Sequence, residues 1–210
     1  MKVISTNVSD KRTVIIGGET VETGMYKVPV TEGVFLTKNG VNNDAVIDLK
    51  YHGGTDKASY FFGENNYQYF KNLYPNAIWE TGMFGENLTL DKVDESTLNI
   101  GDIYKVGEAT VQISQPRIPC SKLGFRLGSP SAVKAFADAP YPGIYVRVLQ
   151  DGKVRVGDEM VLVEAQDIKL SLTDLFMILT NRSKHTHRFE ELLNNPFVTQ
   201  NIKTKLRKHK

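Results

Sequence analysis

A chain of 210 residues, 40% hydrophobic, is long enough for one domain of ordinary size plus a small appendage, and its composition excludes wholesale disorder. The formal charge is +2, with both signs spread through most of the chain, which argues against a dedicated nucleic-acid protein and its strongly basic face. The start, Met1 to Asn7, turns polar too soon for a signal peptide, no apolar run approaches a membrane span, and the lone Cys120 cannot form an intrachain disulfide; a cytoplasmic protein without a membrane partner is expected.

Residues 1–165 read mainly as short β-strands. Val14-Ile15-Ile16, Gly33-Val34-Phe35-Leu36, Val46-Ile47-Asp48-Leu49, Gly101 to Val106 and Ala109 to Ile113 are β-branched or alternating, with Gly or Asn breaks. Ile144 to Leu149 runs through Asp151-Gly152 into Val154-Arg155-Val156, the signature of a tight hairpin. Strands at this spacing predict an antiparallel barrel or sandwich. Two helices interrupt them. One spans Glu64 to Leu73, with Tyr67, Phe70 and Leu73 on one face. The other has Ser129 as N-cap and Pro130 at its first position, with Val133, Phe136 and Ala137 facing inward.

From 166 to 210 the apolar period changes from two to 3.6. Ser171-Leu172-Thr173-Asp174 opens a helix whose stripe is Leu172, Leu175, Phe176 and Leu179. A second helix carries Phe189, Leu192 and Leu193, and a third is predicted to begin at Asn195-Pro196. The fold class is therefore mainly β with a few helices and a small three-helix C-terminal domain, α+β overall. The helical tail is compatible with a lid, a partner-docking surface or a homodimer contact.

Four clusters could carry chemistry. Around Cys120, Pro116 and Pro119 stiffen the backbone while Arg117 and Lys122 bring two positive charges, and positive neighbours favour the thiolate that attacks or binds a soft metal. A buried thiol acting as a small hydrophobe is the commoner fate of a lone cysteine. In Tyr51-His52-Gly53-Gly54-Thr55-Asp56-Lys57-Ala58, the amides of Gly53 and Gly54 could approach an anion, with Lys57 and His52 as further donors; a plain turn is the alternative. Gly82 to Leu88 suits a bend, and its Asn87 could hydrogen-bond a heterocycle. The fourth cluster is Tyr141 to Arg147. One cysteine and four scattered histidines exclude a zinc ligand set, and the basic tail from Lys203 reads as favourable charge at a helix C-terminus, not a stable nucleic-acid site.

Taken in order, His52-Gly-Gly-x-Asp-Lys-Ala58, Gly85-Glu-Asn-Leu88, Gln115-Pro-Arg-x-Pro-Cys-x-Lys-Leu123 and the Gly143-to-Asp158 segment resemble the MOSC family, named for the C-terminal part of molybdenum cofactor sulfurases, and closest to its YiiM-like bacterial branch. The resemblance covers nearly the whole chain, the tail included. It implies a β-barrel with a basic pocket, and a molybdenum cofactor (Mo–molybdopterin) whose metal takes the Cys120 thiolate as ligand. It further implies reduction of N-hydroxylated compounds, such as N-hydroxylated nucleobases. On that basis Arg117, Lys57, Lys122 and the Gly53 and Gly54 amides are candidates for the cofactor's phosphate, Asn87 for its pterin, and His52 for proton delivery near neutral pH. No flavin, haem or iron–sulfur motif is present, so electrons are expected from a separate reductase. Three other uses of the same residues stay open: a Cys120 persulfide that carries sulfur, a non-enzymatic binder of a phosphate-bearing metabolite, and a redox-sensing thiol.

Overall fold

The longest strand is the one that leads to the cysteine. In β10 (Ala109–Pro116) the residues Ala109, Val111 and Ile113 alternate into the core with no exposure, while Ser114 and Gln115 are buried as well because helices cover the second face there. A computed structural model gives the architecture and describes residues 1–181 and 184–208, the side chains of Lys50 and Tyr51 excepted. His209 and Lys210, the end of the basic tail, lie outside the described residues.

An eight-stranded sheet carries β13 (Met160–Glu164), β9 (Ile103–Val106), β10, β11 (Ile144–Gln150), β7 (Ser59–Gly63), β8 (Leu88–Leu90), β1 (Val3–Val8) and β4 (Val28–Pro29) in that order. All its neighbours are antiparallel except β7 with β8. The expected closed barrel is not found. One bridge, Lys2 to Glu159, and a few main-chain bonds beside it tie the start of β1 to β13. Beyond Val3 the register of β1 shifts against β8, and its far end pairs with β4 instead. Such an irregularity bends a strand away from its neighbour.

Around this sheet sit a hairpin, β2 (Arg12–Ile16) with β3 (Glu19–Thr23), and a small sheet in the order β12 (Gly152–Val154), β5 (Val34–Thr37), β6 (Gly40–Val41). The Asp151-Gly152 hairpin between β11 and β12 does not form, because β12 pairs with β5. Gly152 serves close approach: a Cβ there would lie 2.4 Å from the Glu108 carbonyl carbon. By contrast, Gly157 has φ 97° and Gly101 φ 96°, the left-handed turns expected of them. Val46 to Asp48 form no strand; they lead into α1 (Leu49–His52).

Glu64–Asn66 is a single 3₁₀ turn, followed by α2 (Tyr67–Leu73), in which Tyr67 and Phe70 are buried but Leu73 is 48% exposed. Two helices then lie between β10 and β11, α3 (Ser121–Arg126) and α4 (Ser131–Asp138); the first was not expected from sequence. In the tail, α5 (Leu172–Thr180) starts as predicted, with the Ser171 hydroxyl accepting the Asp174 amide at 3.0 Å. After α6 (Phe189–Asn194), Asn195 accepts the Phe197 amide in a local turn, and α7 (Gln200–Arg207) begins later than predicted, capped by Thr199. Leu175, Leu192, Ile202 and Leu206 share one apolar core with Val111 and Ile113 of the sheet. Among the described residues no helix is long and apolar enough to cross a membrane.

Candidate functional site

Cys120 stands where the central strand gives way to a helix. β10 ends at Pro116, the Arg117-to-Pro119 link follows, and Cys120 is extended (φ −128°, ψ 170°) immediately before α3. Its carbonyl accepts the Leu123 amide at 3.0 Å, which fixes the backbone, and its side chain is half-buried. The thiol opens on two adjoining clefts that share Asp48, His52, Lys57, Cys120, Lys122 and Tyr145. The first encloses about 650 Å³, part of it open to solvent, and is walled further by Lys27, Phe84 and Arg117. The second encloses about 1020 Å³ on the same measure, and its far wall is α7, through Asn201, Ile202 and Lys205. Lone cysteines are commonly buried in hydrocarbon; this one faces cations.

Arg117 is held by an aromatic platform and one carbonyl. Its guanidinium lies 5.1 Å from the Tyr60 ring centre and 5.9 Å from that of Phe136, and its Nη1 donates to the Phe84 carbonyl. Arg117 is 5% exposed, and its Nε is buried without a hydrogen-bond partner. Buried polar atoms are satisfied in the great majority of folds, and this one is an exception in a residue that borders the first cleft.

The Phe84 carbonyl is positioned by Glu86. This carboxylate is fully buried and accepts from the amides of Gly82 (2.8 Å) and Phe84 (3.0 Å), from the Thr89 hydroxyl (3.0 Å) and from the Tyr67 hydroxyl. Burial pushes its pKa up, against the pull of those donors. The Gly85-Glu-Asn-Leu88 motif is thus a frame for the Arg117 platform. Glu86→Ala leaves four buried donors without an acceptor, and the expected loss is about 3–5 kcal/mol by urea unfolding. A loss under about 1 kcal/mol would show that the frame is dispensable.

Several sequence assignments change. Asn87 does not offer itself to a pterin: Nδ2 donates to the Asn7 carbonyl (3.3 Å) and Asp44 (2.9 Å), and Oδ1 accepts from Ser59 and the Tyr60 amide (both 3.3 Å). These use its full side-chain capacity. Gly53 and Gly54 do not line either cleft. The Gly53 amide donates to the Leu49 carbonyl at 3.2 Å, and Gly54, with φ 93°, turns the chain so that His52 and Lys57 reach the cleft walls. Arg117, Lys57 and Lys122 are brought together beside Cys120 as expected from sequence.

His52 lines both clefts but is not an acid at neutral pH. Burial, then the charges of Arg117, Lys122 and Lys57, push its pKa down to about 4, only partly opposed by Asp48. The ordinary range on which proton delivery was assigned does not apply, and His52 stands as a neutral donor and acceptor. Because the unfolded chain binds a proton that the folded chain refuses, stability is full above pH 6.5 and falls as pH drops toward 4. His52→Gln is expected to flatten the fall in Tm across that window; an unchanged slope would contradict the shift.

Sequence reading also missed Lys27 and Tyr145. Lys27, buried between β3 and β4, is paired with Asp44, which the Ser9 amide and Asn87 hold in place. No motif surrounds it. Tyr145, at the junction of the clefts, lies in the fourth cluster, where alternation marked a strand and not a site; its ring centre is 5.0 Å from that of Tyr60.

Comparison with known proteins agrees with this geometry. Residues 48–161 match the MOSC domain profile. The Bacillus subtilis (strain 168) protein YflK is 30% identical over 208 residues, 99% of this chain and 94% of that one. A Gibberella moniliformis (strain M3125 / FGSC 7600) protein called Reductase is 29% identical over 186 residues, 87% of this chain and 33% of that longer one. The crystal structure of YiiM from Geobacillus stearothermophilus has the same fold, with TM-score 0.82 and 31% identity over 99% of this chain and 97% of that one. With more than half its length matched and nearly its full extent shared with YflK, the chain belongs to the MOSC domain family.

Proposed function

We propose that this protein is a molybdenum-cofactor-dependent oxidoreductase that reduces N-hydroxylated compounds, N-hydroxylated nucleobases among them, with Cys120 as the protein's ligand to the metal. The observation that carries the reading is the half-buried Cys120 thiol at the junction of two clefts whose shared wall bears Lys57 and Lys122.

The residues present fit the cofactor. Among the described residues no group of three or more His, Cys, Asp or Glu could hold a metal ion alone. A single soft sulfur therefore suits a metal that arrives with its other ligands attached. The first cleft offers Arg117 and Lys122 to a phosphate, which Arg can grip through two parallel bonds. Bound there, the cofactor supplies the two electrons that cleave an N–O bond.

The overall conversion takes N–OH to N–H with two electrons and two protons and releases water. With His52 neutral, Lys57 Nζ is the better proton source. It lines both clefts, and burial, then the charge of Lys205, lower its pKa from the ordinary lysine range, against Asp56 and Asp48. A general acid works best as its pKa nears the operating pH. Tyr60 and Tyr145 wall the site with aromatic surface beside Cys120. The electrons come from a separate reductase protein. The test is direct: protein made in a host that synthesises the cofactor, given a chemical reductant, is expected to convert an N-hydroxylated base to its amine. Cofactor-loaded protein without that conversion would overturn the assigned reaction.

A further inference from the structure

The second cleft shares Lys57 and Lys122 with the first and adds one cation of its own, Lys205. Arg117 and Lys27 border the first cleft and not the second, whereas Asn201 and Lys205 border the second and not the first; Cys120 sits between. Asn201 and Lys205 are four residues apart on α7 and so share one helix face. The start of that helix is tied to the central sheet: the Thr199 hydroxyl donates to Gln115 Oε1 of β10 at 3.1 Å, and Arg147 of β11 donates to the Phe197 carbonyl at 3.4 Å.

Around this cleft stand Lys57, Lys122 and Lys205; among the described residues Asp48 is the carboxylate on its lining, and Asp56 also acts on Lys57. Like charges gathered in a partly buried cleft repel, and Lys205 acts on Lys57 in that way. An anion relieves the repulsion. The first cleft has Arg117 for the cofactor's phosphate, so the cation found only in the second cleft, Lys205, serves another ligand. We infer that the second cleft binds the substrate through a phosphate group, with Lys205 of α7 as the specificity-determining residue, so that phosphate-bearing N-hydroxylated compounds are preferred to their neutral counterparts. The inference rests on the function proposed above and names the substrate class for it. It also gives the C-terminal helices a use as one wall of the active cleft.

The test uses molybdenum-loaded protein and two unreactive product-like probes, adenosine 5′-monophosphate and adenosine, with binding read by calorimetry. The phosphate form is expected to bind roughly tenfold more tightly, a modest ratio because Lys205 lies at an exposed mouth. Lys205→Gln is expected to remove most of that preference, Lys205→Arg to restore it, and metal content to stay at the wild-type level in both. Equal affinities in wild type, or a preference undiminished in Lys205→Gln, would overturn the inference. A wild-type protein that takes up no molybdenum would instead overturn the function on which it rests.

Discussion

Cys120→Ser protein is expected to lose molybdenum at purification, with metal retention reduced about a hundredfold or more, since loss of an outer partner of a metal ligand already lowers affinity tenfold to a hundredfold. The reason is chemical. Serine keeps the shape of the side chain but replaces a soft, polarisable sulfur with a hard oxygen whose proton is not released near neutral pH. Nothing near Cys120 compensates, because among the described residues no cluster of His, Cys, Asp or Glu could take over the ligation. The fold is expected to be indifferent. The Cys120 side chain caps no helix and the thiol is only half-buried, so Tm should move little. Full metal content in Cys120→Ser, measured against protein concentration, would remove the ligand assignment. A metal-free wild-type thiol that gains an extra sulfur by mass spectrometry and passes it on would favour sulfur transfer.

Arg117→Met is expected to separate cofactor binding from stability. Arg117 is a buried cation with no carboxylate against it, held by the Phe84 carbonyl and the faces of Tyr60 and Phe136. Replacing this unpaired buried charge with an apolar residue of similar length removes its desolvation cost but leaves the Phe84 carbonyl without its donor. The two effects oppose, so Tm should move by only about 2–4 °C. Cofactor affinity should nevertheless fall roughly thirtyfold, because a charge-assisted contact to a phosphate disappears. Pterin content by fluorescence and Tm by calorimetry read the two effects on one sample. If Tm collapsed while pterin content held, Arg117 would be a structural residue.

The difference between what sequence revealed and what it hid follows from locality. The alternation of β9 and β10, the Ser171 cap and the turn glycines at 101 and 157 are local rules and appear where the residues put them, whereas the apolar run from Val46 forms no strand. The Asp151-Gly152 corner failed because glycine meets two needs, positive φ and close approach, and only the distant Glu108 backbone decides between them. The barrel failed for a similar reason, since closure depends on where β1 leaves its partner. At the site, the cations beside Cys120 were legible from spacing alone. Lys27 and the α7 wall were not, because folding brings them from far along the chain. His52 and Asn87 were legible as members of the site and misread in role. Burial, then the charges of Arg117, Lys122 and Lys57, hold one neutral, and Asn7, Asp44, Ser59 and the Tyr60 amide occupy the other.

The most direct measurement is the molybdenum and pterin content of the wild-type protein after expression in a host that makes the cofactor. Equal, near-stoichiometric amounts of both, bound through repeated gel filtration, are the expected result. Correctly folded protein carrying neither, from a host whose other molybdoenzymes are loaded, would contradict the account at its root.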